Sequence, residues 1–212
     1  MVPPEARPAA TIVVARPGPG LREGSGPAGI EVLMLRRSAG SSFAPGFLVF
    51  PGGTIDQGDA GLARRWFGTE AEAPRACALR ELAEEAGLAL GPSGLVSMPG
   101  VAPDDARFPV PRIEDVPEMA RWIAPDFLPV RFDARFFSVA APRGLEPRPN
   151  LAEVDGAWWM APADVLVGQR EGSASLMWPT LKTMEALAGC ASVQDALALR
   201  VAQVAPPLRA EP

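Results

Sequence analysis

Three glutamates near the middle of the chain are the residues best suited to chemistry. Glu84 and Glu85 follow Glu81 by three and four positions, a spacing that brings side chains together on an α-helix. Like charges so placed cost about 0.2–0.5 kcal/mol each, and a helix carboxyl end disfavours anions by a further ~0.3–1 kcal/mol. A solvated helix surface is one interpretation. The other is a site for a hard divalent cation such as Mg²⁺, which binds carboxylate oxygens and offsets their repulsion.

The chain contains no histidine, and this narrows the chemistry available to it. Ser-His-Asp and Cys-His nucleophilic sites are excluded, as are zinc hydrolases whose metal is held by histidine. The two cysteines, Cys77 and Cys190, are too few for a disulfide framework or a four-thiolate zinc site. Carboxylates must therefore hold any catalytic metal or perform the acid–base steps.

The bulk composition indicates a folded globular protein. Hydrophobic residues make up 48% of the 212 residues, and the net charge of −5 gives no general attraction to nucleic acid or to an anionic membrane. The sequence has no apolar run of the roughly 20 residues that a membrane helix needs, and residues 1–5 lack the features of a secretion signal. We therefore expect a cytoplasmic protein without nucleic-acid or membrane partners. A homodimer remains open.

The glutamates lie in a segment with clear helix signals. Pro74 suits the first turn of a helix and Gly87 suits its carboxyl-terminal cap, which predicts a helix over 74–86. At about 100° per residue, one side of this helix is apolar and faces the core, with the glutamates opposite. The apolar residues are Leu79, Leu82, Ala83 and Ala86. Arg80 can pair with Glu84 but cannot neutralise three carboxylates.

The remaining elements alternate between strands and helices, which predicts an α/β/α layered domain with loop insertions. The region 91–130 is rich in proline and predicts an irregular excursion with a short helix at 118–123. Apolar and β-branched runs predict strands at 11–14, 30–35, 47–50, 135–140 and 158–160. Helices are predicted at 163–167, at 179–187, and from Ser192 to about 204, so that the carboxyl-terminal helices occupy about 179–204.

The helix sequence resembles the second half of the Nudix box, R-E-U-x-E-E-x-G-U, in which U is a bulky apolar residue. Residues 80–88 match every fixed position, and the turn at 50–53 resembles the segment that opens the box. This resemblance implies the Nudix α/β/α sandwich with a mixed sheet, here as a single domain over 1–212. It also implies a hydrolase of phosphorus-containing anhydrides.

The chain departs from the box between its glycine and its first acidic residue. Five residues are usual there, whereas 54–71 separate Gly53 from Glu72. Asp59 satisfies the spacing from the glycine, and Glu72 satisfies the spacing to Arg80. We favour Glu72, because it adjoins the start of the helix. The insertion is expected to shape the choice of substrate more than it supports the core. Its Trp66 and Phe67 either close over substrate or anchor the loop to the core, and we favour anchoring.

A box interrupted in this way resembles a Nudix branch that includes coenzyme A diphosphatases. The segments 35–53 and 131–137 are similar to stretches found in that branch. The resemblance suggests that Arg37, Ser38 and Arg135 bind substrate phosphates, although a charged strand end explains Arg37 and Ser38 equally well. Coenzyme A also carries a 3′-phosphate, which calls for local basic groups such as Arg36 or Arg131.

The resemblance also implies the site and its cofactor, Mg²⁺ or Mn²⁺. Glu81, Glu84 and Glu85 are implied metal ligands together with the carbonyl of Gly53. Arg80 would orient the glutamates, with support from Glu72. A further carboxylate outside the box is expected at Glu153, with Asp155 as the alternative.

Two classes of function follow from these observations. The first is a metal-dependent hydrolase that cleaves the pyrophosphate bond of a nucleoside diphosphate joined to another group, with coenzyme A or acyl-coenzyme A as candidate substrates. ADP-ribose, NADH or another dinucleotide is the alternative. The second class is a catalytically inactive Nudix-fold module that binds or senses a ligand, against which the complete set of glutamates argues.

Overall fold

The structure is a computed structural model that describes residues 4–19, 29–41 and 43–206. Seven strands form a mixed sheet, and β5 and β6 form a separate antiparallel pair. The strands are β1 (Arg7–Pro17), β2 (Ile30–Arg37), β3 (Leu48–Val49), β4 (Gly52–Thr54), β5 (Leu88–Gly91), β6 (Gly94–Ser97), β7 (Glu118–Ile123), β8 (Phe132–Ala140) and β9 (Val154–Met160). The helices are α1 (Gln57–Phe67), α2 (Ala73–Ala86), α3 (Pro162–Glu171), α4 (Trp178–Leu187) and α5 (Val193–Ala198).

The sheet lies between two helical layers, as the sequence predicts. Its β1 strand is buried on both faces, and successive side chains along it point to opposite sides. Ile12 and Val14 pack against α1 and α2, whereas Val13 and Ala15 pack against the layer formed by α3, α4 and α5. This arrangement is the predicted α/β/α sandwich.

The strand order brings the glycine turn against the middle of the sheet. The order is β3-β2-β1-β8-β7, with β9 paired to β2 and β4 paired to β1, and β1 runs parallel to β8. The chain from β3 to β4 crosses from β2 to β1, where Gly53 pairs with Ala10. A side chain at Gly52 would lie 2.6 Å from the carbonyl oxygen of Ala10. This close approach of the two backbones requires glycine at position 52.

The predicted helix at 118–123 is wrong, because this segment is the β7 strand. It pairs antiparallel with β8, so that Arg121 lies opposite Arg135. Backbone pairing with a neighbouring strand satisfies its hydrogen bonds and overrides a weak helix preference. The excursion 91–130 is also more ordered than expected. It contains the β6 strand, which pairs with β5 just before it.

The insertion between Gly53 and Glu72 contains the α1 helix, which the sequence analysis did not predict. Asp56 and Asp59 form a capping box at its start, and Gly68 ends it with a φ of 77°. Leu62, Ala63 and Trp66 are buried in the core beneath α2. Anchoring to the core is therefore the role of Trp66, which also stacks on Phe108 with ring centroids 5.5 Å apart.

The carboxyl-terminal helix is shorter than predicted, because α5 ends at Ala198 instead of continuing to about 204. The chain beyond it runs beside the β7 strand. The amide of Val201 donates to the Met119 carbonyl at 2.9 Å, and the Gln203 side chain bonds the backbone of Ile123. These bonds cover an edge strand, whose backbone groups would otherwise be open to other chains. No helix in the described ranges is long and apolar enough to cross a membrane.

Candidate active site

The α2 helix carries the glutamates as predicted, but it buries more of them than a solvated helix surface would. Pro74 lies in its first turn, and Gly87 ends it in the left-handed conformation with a φ of 65°. Glu85 is only 5% exposed and the Glu81 side chain 13%, whereas the Glu84 side chain is 42% exposed. Burying a carboxylate is costly unless a charge or hydrogen bond compensates it. The interpretation as a solvated surface therefore fails for Glu81 and Glu85.

Arg80 lies within an acidic cluster formed by Asp59, Glu81, Glu84 and Glu85. Its Nη1 donates to Glu81 Oε1 and to Glu84 Oε2, both at 2.8 Å. Its other two nitrogens donate to Asp59, and Nη2 also reaches the Thr54 carbonyl at 3.3 Å. Burial opposes the charge of the guanidinium, but the bonds to Asp59 and Glu81 outweigh burial and raise the Arg80 pKa. Arg80 therefore remains a cation that fixes the two glutamates.

The acidic partner of Arg80 from the insertion is Asp59, which corrects the preference for Glu72. Asp59 is completely buried and receives both Nε and Nη2 of the guanidinium. Glu72 instead forms a salt bridge with Arg75, and Arg75 donates to the Val116 carbonyl at 2.8 Å. The capping box of α1 places Asp59 toward α2, so the spacing from the glycine, and not the spacing to Arg80, identifies the partner.

The Gly52-Gly53 turn contacts Glu81 and Glu85. The amide of Gly52 donates to Glu85 Oε2 at 3.0 Å. A Cβ atom at Gly53 would lie 2.2 Å from Glu81 Oε1, so this carboxylate packs directly against the glycine. The Cys77 thiol approaches the carbonyl of Gly53 at 3.8 Å. The Gly52-Gly53 turn therefore lies beside Glu81 and Glu85.

Burial changes the acidity of these carboxyl groups. It raises the pKa of Glu85 to about 8, against the opposing effect of the Gly52 hydrogen bond. It also raises the pKa of Glu81, although Arg80 acts in the other direction. Negative charge in this site therefore lacks full compensation from the protein, and a bound cation would supply it.

Glu153 approaches the same site from the loop between β8 and β9. Its charge raises the Glu85 pKa, and its carbonyl accepts a bond from the Ser38 amide at 3.4 Å. The Asn150 side chain donates to Glu153 Oε1 at 2.7 Å. The alternative candidate, Asp155, is exposed and follows on β9. The charge of Glu153 is among the main influences on the Glu85 pKa.

The structure separates the predicted phosphate-binding residues. Arg37 lies close enough to Glu85 to lower its pKa, and its Nε donates to the Phe43 carbonyl at 2.8 Å. Ser38 adjoins it and contacts Ser41 at 3.2 Å. Arg135 is instead bound by Glu118 on the neighbouring strand, with Nε at 3.0 Å from Oε1. The guanidinium of Arg135 is therefore already paired, which argues against its predicted role in phosphate binding.

Of the other two arginines considered for the 3′-phosphate, Arg131 is engaged elsewhere, whereas Arg36 is exposed. Arg131 forms a salt bridge with Asp126 and donates to the Ala124 and Pro4 carbonyls. Arg36 lies 5.8 Å from the ring centroid of Trp158. Among the arginines considered for phosphate binding, Arg37 lowers the pKa of Glu85 in the acidic cluster.

The donor set fits a hard divalent cation in its chemistry. All candidate ligands are oxygens, and burial raises the pKa values of two of the carboxylates, Glu81 and Glu85. Within the described residues no group of three acidic or cysteine side chains is arranged to hold a metal ion, and Arg80 holds Glu81 and Glu84. Binding a cation would therefore require these two carboxylates to share or exchange the bonds from Arg80.

Three contributors were missed or undervalued in the sequence. The spacing from Gly53 indicated Asp59 as the acidic partner of Arg80, but Glu72 was preferred. Gly52, as a donor to Glu85, could be inferred only from the family turn. Asn150 gave no signal, because its contacts with Glu153 and α2 depend on how a distant loop packs.

Comparisons with known proteins identify the family to which the chain belongs. A family profile described as NUDIX domain matches residues 7–182. The crystal structure of a Nudix hydrolase from Alicyclobacillus acidocaldarius is 30% identical, with a TM-score of 0.75, over 93% of this chain and 98% of that chain. A MutT Nudix hydrolase from Burkholderia pseudomallei is 18% identical, with a TM-score of 0.50, over 86% of this chain and 98% of its own, and supports the fold alone. The chain therefore belongs to the Nudix family and is a pyrophosphohydrolase of phosphorus-containing anhydrides.

Proposed function

We propose that the chain cleaves the pyrophosphate bond of a nucleoside diphosphate joined to another group, using Mg²⁺ or Mn²⁺. The observation that carries this proposal is the packing of Glu81 and Glu85 against the Gly52-Gly53 turn, with Glu85 buried and the Glu81 side chain 13% exposed. A buried and a largely buried carboxylate with incomplete compensation are costly to the fold, and an oxygen-ligated cation that binds an anionic substrate would offset their charge.

We assign the cation to Glu81, Glu84, Glu85 and the carbonyl of Gly53. When bound, it would offset the charge of the pyrophosphate, polarise the P–O bond and make water acidic enough to attack phosphorus at neutral pH. Arg80 orients Glu81 and Glu84 through its 2.8 Å bonds. Asp59 fixes Arg80 in turn, since the two planar groups meet through two parallel hydrogen bonds.

Glu153 is assigned as the further carboxylate of the site. It is exposed at the edge of the cluster and its charge acts on Glu85. An exposed carboxylate can accept a proton from an attacking water without first losing a buried ion pair. Asp155→Asn is the matched comparison for Glu153→Gln, because Asp155 is the exposed acid two positions later.

For the substrate we propose coenzyme A or an acyl-coenzyme A. Support comes from the similarity of segments 35–53 and 131–137 to the coenzyme A branch, and from Arg37 as a cation beside the acidic cluster. Arg37 and Ser38 would contact phosphate oxygens. The ion pairs of Arg131 and Arg135 leave the 3′-phosphate with fewer basic partners than the sequence suggested.

A substrate screen with the purified protein tests the proposal. Coenzyme A, acyl-coenzyme A, ADP-ribose, NADH, diadenosine polyphosphates and nucleoside triphosphates are compared, each with Mg²⁺ and with Mn²⁺. Coenzyme A should give adenosine 3′,5′-bisphosphate and 4′-phosphopantetheine, which chromatography separates. If another substrate has a kcat/KM more than about tenfold higher, a gap of ~1.4 kcal/mol, the coenzyme A assignment is wrong. Turnover in excess EDTA would overturn the metal mechanism.

The binding-only alternative has its own test. Glu85→Gln keeps the shape of the side chain but removes its charge, and we expect it to lose most of the activity while the protein remains folded. A protein that binds a nucleotide yet hydrolyses none of the screened compounds would support the inactive module.

A further inference from the structure

The loop between β8 and β9 is fastened to the carboxyl-terminal end of the α2 helix. The amide of Arg148 donates to the Ala86 carbonyl at 2.7 Å, and the amide of Asn150 donates to the Glu85 carbonyl at 3.1 Å. The last carbonyls of a helix have no partners within it and must find them elsewhere. The backbone of Glu85 therefore determines where Asn150 lies.

The side chain of Asn150 uses both ends of its amide within this loop. Its Nδ2 donates to Glu153 Oε1 at 2.7 Å, and its Oδ1 accepts from the Ala152 amide at 3.2 Å. Its carbonyl accepts from the amides of Glu153 and Val154 at 3.0 and 3.1 Å. One half-buried residue thus joins the helix end, the loop turn and the carboxylate of Glu153.

An exposed glutamate without such a bond samples several side-chain conformations, and fixing one of them costs conformational entropy. The Nδ2 donor selects one conformation, while the backbone bond to Glu85 relates it to the α2 glutamates. We propose that Asn150 is a positioning residue that holds the Glu153 carboxylate in its working orientation toward the site on α2. This inference rests on the proposed function of Glu153.

Asn150→Asp separates positioning from loop folding. An aspartate can still accept from the Ala152 amide through Oδ1, but it replaces the donor to Glu153 with a second carboxylate. We expect kcat to fall about 10- to 100-fold with KM changed less than about twofold. Leu151→Ala is the matched control, because that side chain is 72% exposed on the same loop, and it should retain wild-type kinetics.

The double variant Asn150→Asp, Glu153→Gln gives the second readout. The amide introduced at position 153 can donate to the carboxylate introduced at position 150 and restore the contact, but position 153 then supplies no carboxylate. The kcat of the double variant should equal that of Glu153→Gln alone, so the two losses do not multiply. Hydrogen exchange of the amides in 148–154 should be unchanged in Asn150→Asp, whereas a purely structural role would alter it.

The outcomes distinguish a failure of the role of Asn150 from a failure of the assignment of Glu153. If Glu153→Gln keeps kcat within about twofold, the assignment of Glu153 is wrong and the inference falls with it. If Glu153→Gln is impaired but Asn150→Asp is not, only the role of Asn150 is overturned. Multiplying losses in the double variant, or faster exchange across 148–154 in Asn150→Asp, would also overturn it.

Discussion

Arg80 donates two hydrogen bonds to Asp59, from Nε at 2.8 Å and from Nη2 at 3.1 Å. This pair connects the inserted α1 helix to the helix that carries the glutamates. Asp59 also accepts from the Asp56 amide at 2.9 Å as part of the α1 capping box. The start of α1 and the orientation of Arg80 therefore depend on the same carboxylate.

Asp59→Asn should damage both stability and activity. Removing one partner of a buried ion pair leaves the other charge uncompensated, so we expect the free energy of unfolding to fall by about 3 kcal/mol. We expect kcat/KM to fall about 10- to 100-fold, because Arg80 loses its orienting partner. Urea unfolding and steady-state kinetics measure the two effects. Glu72→Gln, which affects Arg75 instead, should leave kcat/KM near wild type. If Glu72→Gln lowers kcat/KM more than Asp59→Asn does, Glu72 is the acid that supports Arg80.

Gly53→Ala should reduce activity more than stability. The added Cβ would lie 2.2 Å from Glu81 Oε1, and a flexible side chain can move away where a backbone could not. We expect a loss in kcat/KM of about 10-fold or more with a melting temperature close to wild type. Gly61→Ala on α1 is the control, because a Cβ there meets no atom within 4 Å. It should stabilise the protein by about 0.5–1 kcal/mol. Equal kinetics in the two variants would contradict the placement of Glu81.

Glu85 should give the metal-free protein a characteristic pH dependence. Burial raises its pKa from an ordinary value of 4.5 to about 8. The folded state therefore binds a proton between these values that the unfolded state has released, and stability falls as the pH rises through this window. Urea unfolding in EDTA at several pH values should show this decline in the wild type and a weaker one in Glu85→Gln. Added Mg²⁺ or Mn²⁺ should stabilise the wild type more than the variant. Identical slopes would rule out Glu85 as the source.

Trp66→Ala should destabilise the fold, which argues against treating the insertion as a dispensable loop. The side chain is 6% exposed and stacks on Phe108, and truncating a core tryptophan costs about 3–5 kcal/mol. Trp158→Ala is the control, since that ring is 44% exposed. Chemical denaturation compares the two, and a small loss in Trp66→Ala would contradict the packing. Shortening residues 58–70 would also remove Asp59, Leu62 and Ala63, so we expect it to disrupt the core and the site together.

Local sequence was sufficient to determine the helix that carries the chemistry. Pro74, the apolar spacing of Leu79 and Leu82, and Gly87 specify its start, its buried side and its end through interactions within a few residues. The glutamates follow because they occupy the same helix. The apolar strands of the sheet were predictable for the same reason, since alternation and β-branched residues act locally.

The partners of that helix were decided by tertiary structure. Whether Asp59 or Glu72 reaches Arg80 depends on the direction in which α1 leaves the glycine turn, and both spacings were compatible with the sequence. The β7 strand forms because β8 offers it a backbone partner, although residues 118–123 by themselves favour neither state strongly. Asn150 reaches Glu153 and the end of α2 only after residues more than sixty positions apart have packed together. Helix and strand signals come from neighbours in sequence, whereas the burial of Glu85, the choice of Asp59 and the position of Glu153 come from contacts that exist only in the folded chain.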